Sequence, residues 1–282
     1  MSGWSTLVQA EALAPALSSD ALVVLDCRHS LGRSDAGLAE FHAGHLPGAL
    51  HADMDRDLSG PHRPGAGRHP WPDAARFAER LAAWGVTPGH QVIAYDAGDG
   101  AFAARLWFLL RAFGHARVAV LDGGWARWQA LGLPVETAVR IPTAARYNGT
   151  FDATRLLGAG EVEIHVATGG LLVDARARER FRGEVEPIDA KAGHVPGAAN
   201  RPFADNVRDG RFKPAEELAG EFATLLDGRM ATELLAMCGS GVTACHHLLA
   251  MEHAGLPGAR LFTGSWSGWI EDPSRPIATG DA

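Results

Sequence analysis

Leu234-Leu235-Ala236-Met237-Cys238-Gly239-Ser240-Gly241-Val242-Thr243-Ala244 reads as a buried strand, a tight loop and the opening of a helix that runs from Val242 to His253. The apolar run supplies the strand, and the glycines break it before helical periodicity resumes. A cysteine at such a junction lies among unpaired backbone N–H groups and at the positive end of a helix dipole. Both favour the thiolate, which is the nucleophilic form of sulfur. Cys238 is therefore the candidate nucleophile. The competing reading, a buried cysteine acting as a small apolar side chain, does not account for the glycines on both sides of Ser240.

The rest of the chain repeats that unit. Leu22–Arg28 and Leu171–Arg176 are apolar strands that each end in Asp-x-Arg. Ala43–Ala49 and Ala192–Ala198 share a Gly-His-x-Pro-Gly-Ala turn. The strand Gln91–Asp96 matches the one ending at Cys238, with Asp96 in the cysteine's place. Leu121–Trp128 matches Leu261–Trp269 through Gly-(Gly/Ser)-Trp. Four landmarks at nearly the same separation indicate duplication of a whole domain rather than a short solenoid repeat. Strands alternating with helices predict parallel α/β units, whose chemistry sits on loops at the carboxyl ends of the strands. The expected partition is residues 1–135, a linker over 136–150, and residues 151–282.

At 282 residues, 46% hydrophobic and 21% charged, the chain has the composition of packed domains. A net charge of -7 offers no global attraction to nucleic acid or an anionic membrane, and no apolar run reaches the roughly 18 residues of a span. A signal peptide is not expected, since no basic segment and apolar core follow Met1-Ser2-Gly3-Trp4. Three cysteines, Cys27, Cys238 and Cys245, are too few for a disulfide framework, so a reducing cytoplasm is the default. The histidines show no ligand set at known metal spacing, so neither a metal nor another cofactor is expected.

Together the paired Asp-x-Arg strands, the paired Gly-His turns, the paired Gly-(Gly/Ser)-Trp segments and the single cysteine loop resemble the tandem rhodanese-like sulfurtransferases over nearly the whole chain. The resemblance implies two tandem rhodanese-like domains, each a small parallel sheet flanked by helices, with only the second active. Asp96 agrees, since a carboxylate cannot carry a transferable sulfur. The loop Cys-Gly-Ser-Gly-Val-Thr looks like that of the 3-mercaptopyruvate branch. It implies that Cys238 takes a sulfane sulfur as a persulfide and passes it to cyanide, a small thiol or thioredoxin. Gly239 and Gly241 let the loop turn its amides inward, so Gly239, Gly241, Val242 and Thr243 are expected to line the anionic sulfur. Thr243 is also expected to cap the helix through its hydroxyl.

The same resemblance implies a relay from Asp55 through His69 to Ser240, with Ser240 acting on the thiolate or on a substrate carbonyl. It makes Arg180, in Arg180-Phe181-Arg182-Gly183, the arginine for the donor's anionic group, through its planar fork. The branch's second arginine falls on Ile188, which keeps thiosulfate:cyanide transfer as the alternative; Arg201 is a candidate substitute. A cysteine phosphatase would need an arginine where Ala244 stands. A silent binding module fits the first half but not the second. His45, His194, Trp125, Trp266 and Cys245 are expected to be structural, and Cys27 incidental.

Overall fold

A computed structural model describes residues 3–281, which divide into two compact units. The first comprises residues 3–60, 72–152 and 209–212; the second comprises 61–71, 153–208 and 213–281. The units are thus not contiguous halves, and the partition differs from the one expected. The stretch 136–150, expected to be a linker, packs on the first unit. Tyr147 is buried there, and Ala145 N–H donates to Ala82 C=O.

In the first unit, β1 (Leu7–Val8), β2 (Leu22–Asp26), β3 (Leu50–His51), β4 (Gln91–Tyr95) and β5 (Val118–Leu121) form a sheet in the order β1-β5-β4-β2-β3. All four neighbouring pairs are parallel. β2, β4 and β5 are buried at every position, as a parallel sheet covered on both faces requires. The unit's helices are α1 (Ala10–Leu13), α2 (Ala36–Ala43), α3 (Ala74–Ala83), α4 (Ala103–Ala112) and α5 (Gly124–Ala130). Leu13, Phe41, Ile93 and Trp128 anchor its core.

The second unit repeats the plan. β6 (Leu156–Leu157), β7 (Leu171–Asp174), β8 (Ala199–Asn200), β11 (Leu234–Met237) and β12 (Arg260–Phe262) pair in parallel in the order β6-β12-β11-β7-β8. The short strands β9 (Val207–Arg208), in this unit, and β10 (Arg211–Phe212), in the first, lie outside both five-stranded sheets. Its helices are α6 (Ala159–Ala167), α7 (Arg178–Arg182), α8 (Ala215–Leu226), α9 (Ala244–His253) and α10 (Ser265–Trp269). Phe181, Met237, Phe262 and Trp266 fill the core.

The duplication extends to side-chain detail. Arg28 binds Asp26 and the Gly44 carbonyl and lies 4.7 Å from the Trp125 ring centre. Arg176 does the same with Asp174, the Gly193 carbonyl and Trp266, again at 4.7 Å. Both pairs are buried, where a charge survives only with its opposite and its hydrogen bonds in place. His45 and His194 each hydrogen-bond a carbonyl at 2.8 Å and stack on a phenylalanine. These are the structural roles expected of them.

Candidate active site

Cys238 follows β11, the middle strand of its sheet, at the carboxyl end. The base of its loop is held by α10. Cys238 N–H donates to Ser265 Oγ at 3.1 Å, Trp266 N–H donates to Cys238 C=O, and Ser267 N–H donates to Gly239 C=O, both at 2.9 Å. The loop then turns back on the sulfur, and Gly241 N–H points at Cys238 Sγ at 3.2 Å. Gly241 has φ +77°, the left-handed conformation the turn was expected to need. Cys245 is buried beneath, its Sγ donating to Gly241 C=O at 3.3 Å, a packing role.

Thr243 departs from expectation. α9 begins at Ala244, and the Thr243 side chain makes no cap hydrogen bond. Its backbone is already helical, with φ -70° and ψ -14°, whereas a capping hydroxyl needs the extended backbone that swings its oxygen over the next turn's amides.

The first unit shows what such a loop does with an anion. Asp96 follows β4 as Cys238 follows β11. Its carboxylate accepts N–H groups from Gly98, Gly100, Phe102 and Ala103 at 2.9–3.1 Å. Burial, with Asp99 nearby, pushes its pKa up, while those amides push it back down. One copy thus holds a fixed carboxylate among four amides, and the other places at the same point a sulfur with the Gly241 N–H directed at it.

Around the Cys238 loop the second unit assembles polar groups from two segments. From residues 61–71, His69 is buried and its Nδ1 lies 2.8 Å from Ser240 Oγ. Arg68 precedes it. From α7, Arg180 binds Glu186 of the stretch that follows, through Nε at 3.1 Å and Nη2 at 2.7 Å. Asp189 joins the two arginines, with Oδ1 on Arg68 Nη1 and Oδ2 on Arg180 Nη2 at 3.0 Å. Both guanidiniums lie over Gly239. A Cβ there would meet Arg68 Nη2 at 3.2 Å and both Nη atoms of Arg180 at 3.6 Å. Gly239 thus lies in close contact with both arginines and, unlike Gly241, does not supply a left-handed turn. Burial of Glu186 opposes its charge, but Arg180 and the amides of Asp189 and Ile188 prevail and hold its carboxyl below the usual range.

Of the residues singled out in the sequence, the structure brings Cys238, Ser240, His69, Arg180, Gly239 and Gly241 together within one unit. Val242 is buried in the loop, two residues before α9 begins. Asp55 belongs to the first unit, on a turn where its N–H donates to Asp53 Oδ1 at 2.9 Å. Arg201 is not a substitute for the missing arginine. It is buried against Asn206, Glu221 and the ring of Phe222, away from the loop. Ile188 is exposed at 42%. The second guanidinium beside the cysteine loop is Arg68, which sequence reasoning passed over although it adjoins His69. Ser265, Glu186 and Asp189 were missed as well.

A twice-repeated α/β unit with one cysteine loop defines a class, and the chain belongs to it: the rhodanese-like domain family matches residues 9–131 and again 156–272. Within that family the chain is 50% identical over 279 residues to a protein of Pseudomonas aeruginosa described as a probable 3-mercaptopyruvate sulfurtransferase, covering 98% of each. It is 36% identical to SseB of Mycobacterium tuberculosis, provisionally described as a thiosulfate sulfurtransferase, covering 94% of this chain and 93% of that one. The solved structure of SseA from Escherichia coli, described among 3-mercaptopyruvate sulfotransferases, superposes with a TM-score of 0.81 at 31% identity. That match covers 94% of this chain and 100% of the other.

Proposed function

We propose that the protein is a sulfurtransferase that takes the thiol sulfur of 3-mercaptopyruvate, carries it as the sulfane sulfur of a persulfide on Cys238, and passes it to a thiophilic acceptor. The observation that carries this reading is the pair of guanidiniums, Arg68 and Arg180, over Gly239 beside a sulfur that already accepts an amide N–H. A small anion held by that pair lies within reach of the nucleophile, and arginine suits a carboxylate through its fork of donors.

In the first half-reaction the Cys238 thiolate attacks the donor's sulfur. The Sγ–S bond forms and the donor's C–S bond breaks, its electron pair passing to carbon to give the enolate of pyruvate. The proton of the donor's thiol balances the step, ending on that carbon as the new persulfide ionises. Charge develops on the enolate oxygen and on the outer sulfur. The Ser240 hydroxyl, 2.8 Å from His69, meets the first, and the Gly241 amide and its neighbours meet the second. In the second half-reaction a thiolate or cyanide attacks the outer sulfur, the S–S bond breaks and Cys238 leaves as thiolate. A small thiol or thioredoxin is the acceptor in a cell, and cyanide serves in vitro. The three cysteines are unpaired, which supports a reducing, cytoplasmic setting. No helix among the described residues is long and apolar enough to cross a membrane.

Thiosulfate is the second reading. It drew its weight from Ile188, and Arg68 lessens that weight by supplying a second cation. The Ser240–His69 pair favours a donor with a carbonyl, which thiosulfate lacks. The test is mass spectrometry after treatment with 3-mercaptopyruvate. The peptide containing Cys238 gains one sulfur, and Cys238→Ser neither gains it nor turns over. Consumption of donor with that peptide unmodified overturns the mechanism. Ser240→Ala is expected to lower kcat on 3-mercaptopyruvate by about 100-fold while leaving thiosulfate within a few-fold, since only the keto acid needs its oxygen polarised.

A further inference from the structure

The two guanidiniums over the cysteine loop are not free cations. Arg180 spends Nε and Nη2 on Glu186 and Asp189, and Arg68 spends Nη1 on Asp189. Arg68 Nε is buried without a hydrogen-bond partner. The Asp189 side chain is only 3% exposed, and the residue's N–H donates to Glu186 Oε1 at 3.0 Å. Two guanidiniums and two carboxylates therefore sum to no net charge beside the nucleophile. Such a cluster still presents N–H donors to an anion, but it adds little long-range attraction for a second negative charge.

We propose that Asp189 is a specificity-determining, positioning residue: it ties Arg68 to Arg180 and cancels one of their charges, so that the clamp favours a monoanionic donor over a dianionic one. This rests on the sulfurtransferase reading above and deepens it. A keto acid brings one negative charge and fits donors that are already half neutralised. Thiosulfate brings two and meets the carboxylates of Asp189 and Glu186 behind the arginines. Removing one carboxylate charge helps a dianion twice as much as a monoanion, because the interaction scales with the product of the charges.

The experiment uses the full chain with Asp189→Asn, Asp189→Glu and Asp189→Ser. Initial rates with 3-mercaptopyruvate and with thiosulfate, and cyanide as common acceptor, are compared at low and high salt. Asp189→Asn is expected to raise the ratio of kcat/KM for thiosulfate over 3-mercaptopyruvate by at least about fivefold. The change is carried by KM and shrinks with added salt. Asp189→Glu keeps the wild-type ratio. Asp189→Ser shifts it in the same sense as Asn, which guards against a disturbance peculiar to the amide. A smaller rise, or an equal fall on both donors confined to kcat, overturns the proposal. A wild-type protein that transfers sulfur from neither donor overturns the sulfurtransferase reading itself, and an active one with an unmoved ratio overturns only the role of Asp189.

Discussion

Ser265 has φ +51°, where a side chain costs about 1–2 kcal/mol, and it is fully buried. The equivalent residue of the first unit is Gly124, also at φ +51°. What the serine gains is visible in its contacts: Oγ accepts Cys238 N–H and donates to Phe262 C=O at 3.0 Å. Strain next to the reactive loop is thus balanced by a hydrogen bond that fixes the nucleophile's own peptide. Ser265→Ala keeps the strain and leaves a buried N–H unpaired, a loss of about 1–3 kcal/mol. Ser265→Gly loses the bond but sheds the strain, so it should lie about 1 kcal/mol above the alanine variant. Urea unfolding gives that order, wild type above glycine above alanine. Both variants should turn over more slowly on either donor, because Cys238 is oriented less well. Equal stabilities for the two variants would sink the account. Nothing in Gly264-Ser265-Trp266 announced a left-handed serine, since backbone conformation at one residue leaves no periodicity to read.

At the scale of an element, α9 was legible and its partners were not. The apolar run, the glycines and the return of helical spacing located strand, loop and helix, with the start misplaced by two residues. Every residue from Ala244 to Met251 is buried, including His246 and His247. His247 donates from Nε2 to Arg201 C=O at 2.6 Å and accepts the Asn206 amide at Nδ1 at 2.8 Å, so the neutral ring is fully satisfied. Burial, with the charges of Arg201 and His246 beside it, pushes its pKa down to about 3 from an ordinary 6.5. The unfolded chain then binds a proton that the folded chain refuses. The stability this contributes is complete above about pH 6.5 and is lost as the pH falls from there toward 3, at up to about 1.4 kcal/mol per pH unit. His51 and His115 of the first unit are shifted the same way by burial, so the wild-type slope sums several groups. The difference between wild type and His247→Gln isolates one. Urea midpoints between pH 7 and 5 should fall more steeply for wild type, and parallel slopes would show that His247 titrates normally.

At the scale of the whole molecule, duplication was written in the sequence because paired motifs survive wherever the fold reuses them: Asp26/Asp174, His45/His194 and Trp125/Trp266. The assignment of residues 61–71 to the second unit was not, because that stretch has no apolar periodicity and is held there by close backbone packing and by the polar contacts of Arg68 and His69. Gly67 has φ +74°, and a Cβ there would stand 2.4 Å from Gly264 C=O and 2.8 Å from Ser267 Oγ; a Cβ on Gly268 would meet Gly65 C=O at 2.5 Å. Arg68 N–H adds a hydrogen bond to Ser267 Oγ at 3.0 Å. The glycines thus seat the segment that delivers Arg68 and His69 to the Cys238 loop, while neither core cluster draws a residue from it. Function and folding separate here. Gly67→Ala should unseat the segment, raising KM for either donor through Arg68 and lowering kcat on 3-mercaptopyruvate through His69, by about tenfold or more in kcat/KM. The cores should keep their unfolding free energy, read from urea unfolding, within about 1 kcal/mol of wild type. Limited proteolysis should cut faster between Pro61 and Trp71, as expected of a segment released from its packing. A variant that stays fully active and protease-resistant would mean that the segment is held by something other than its glycines.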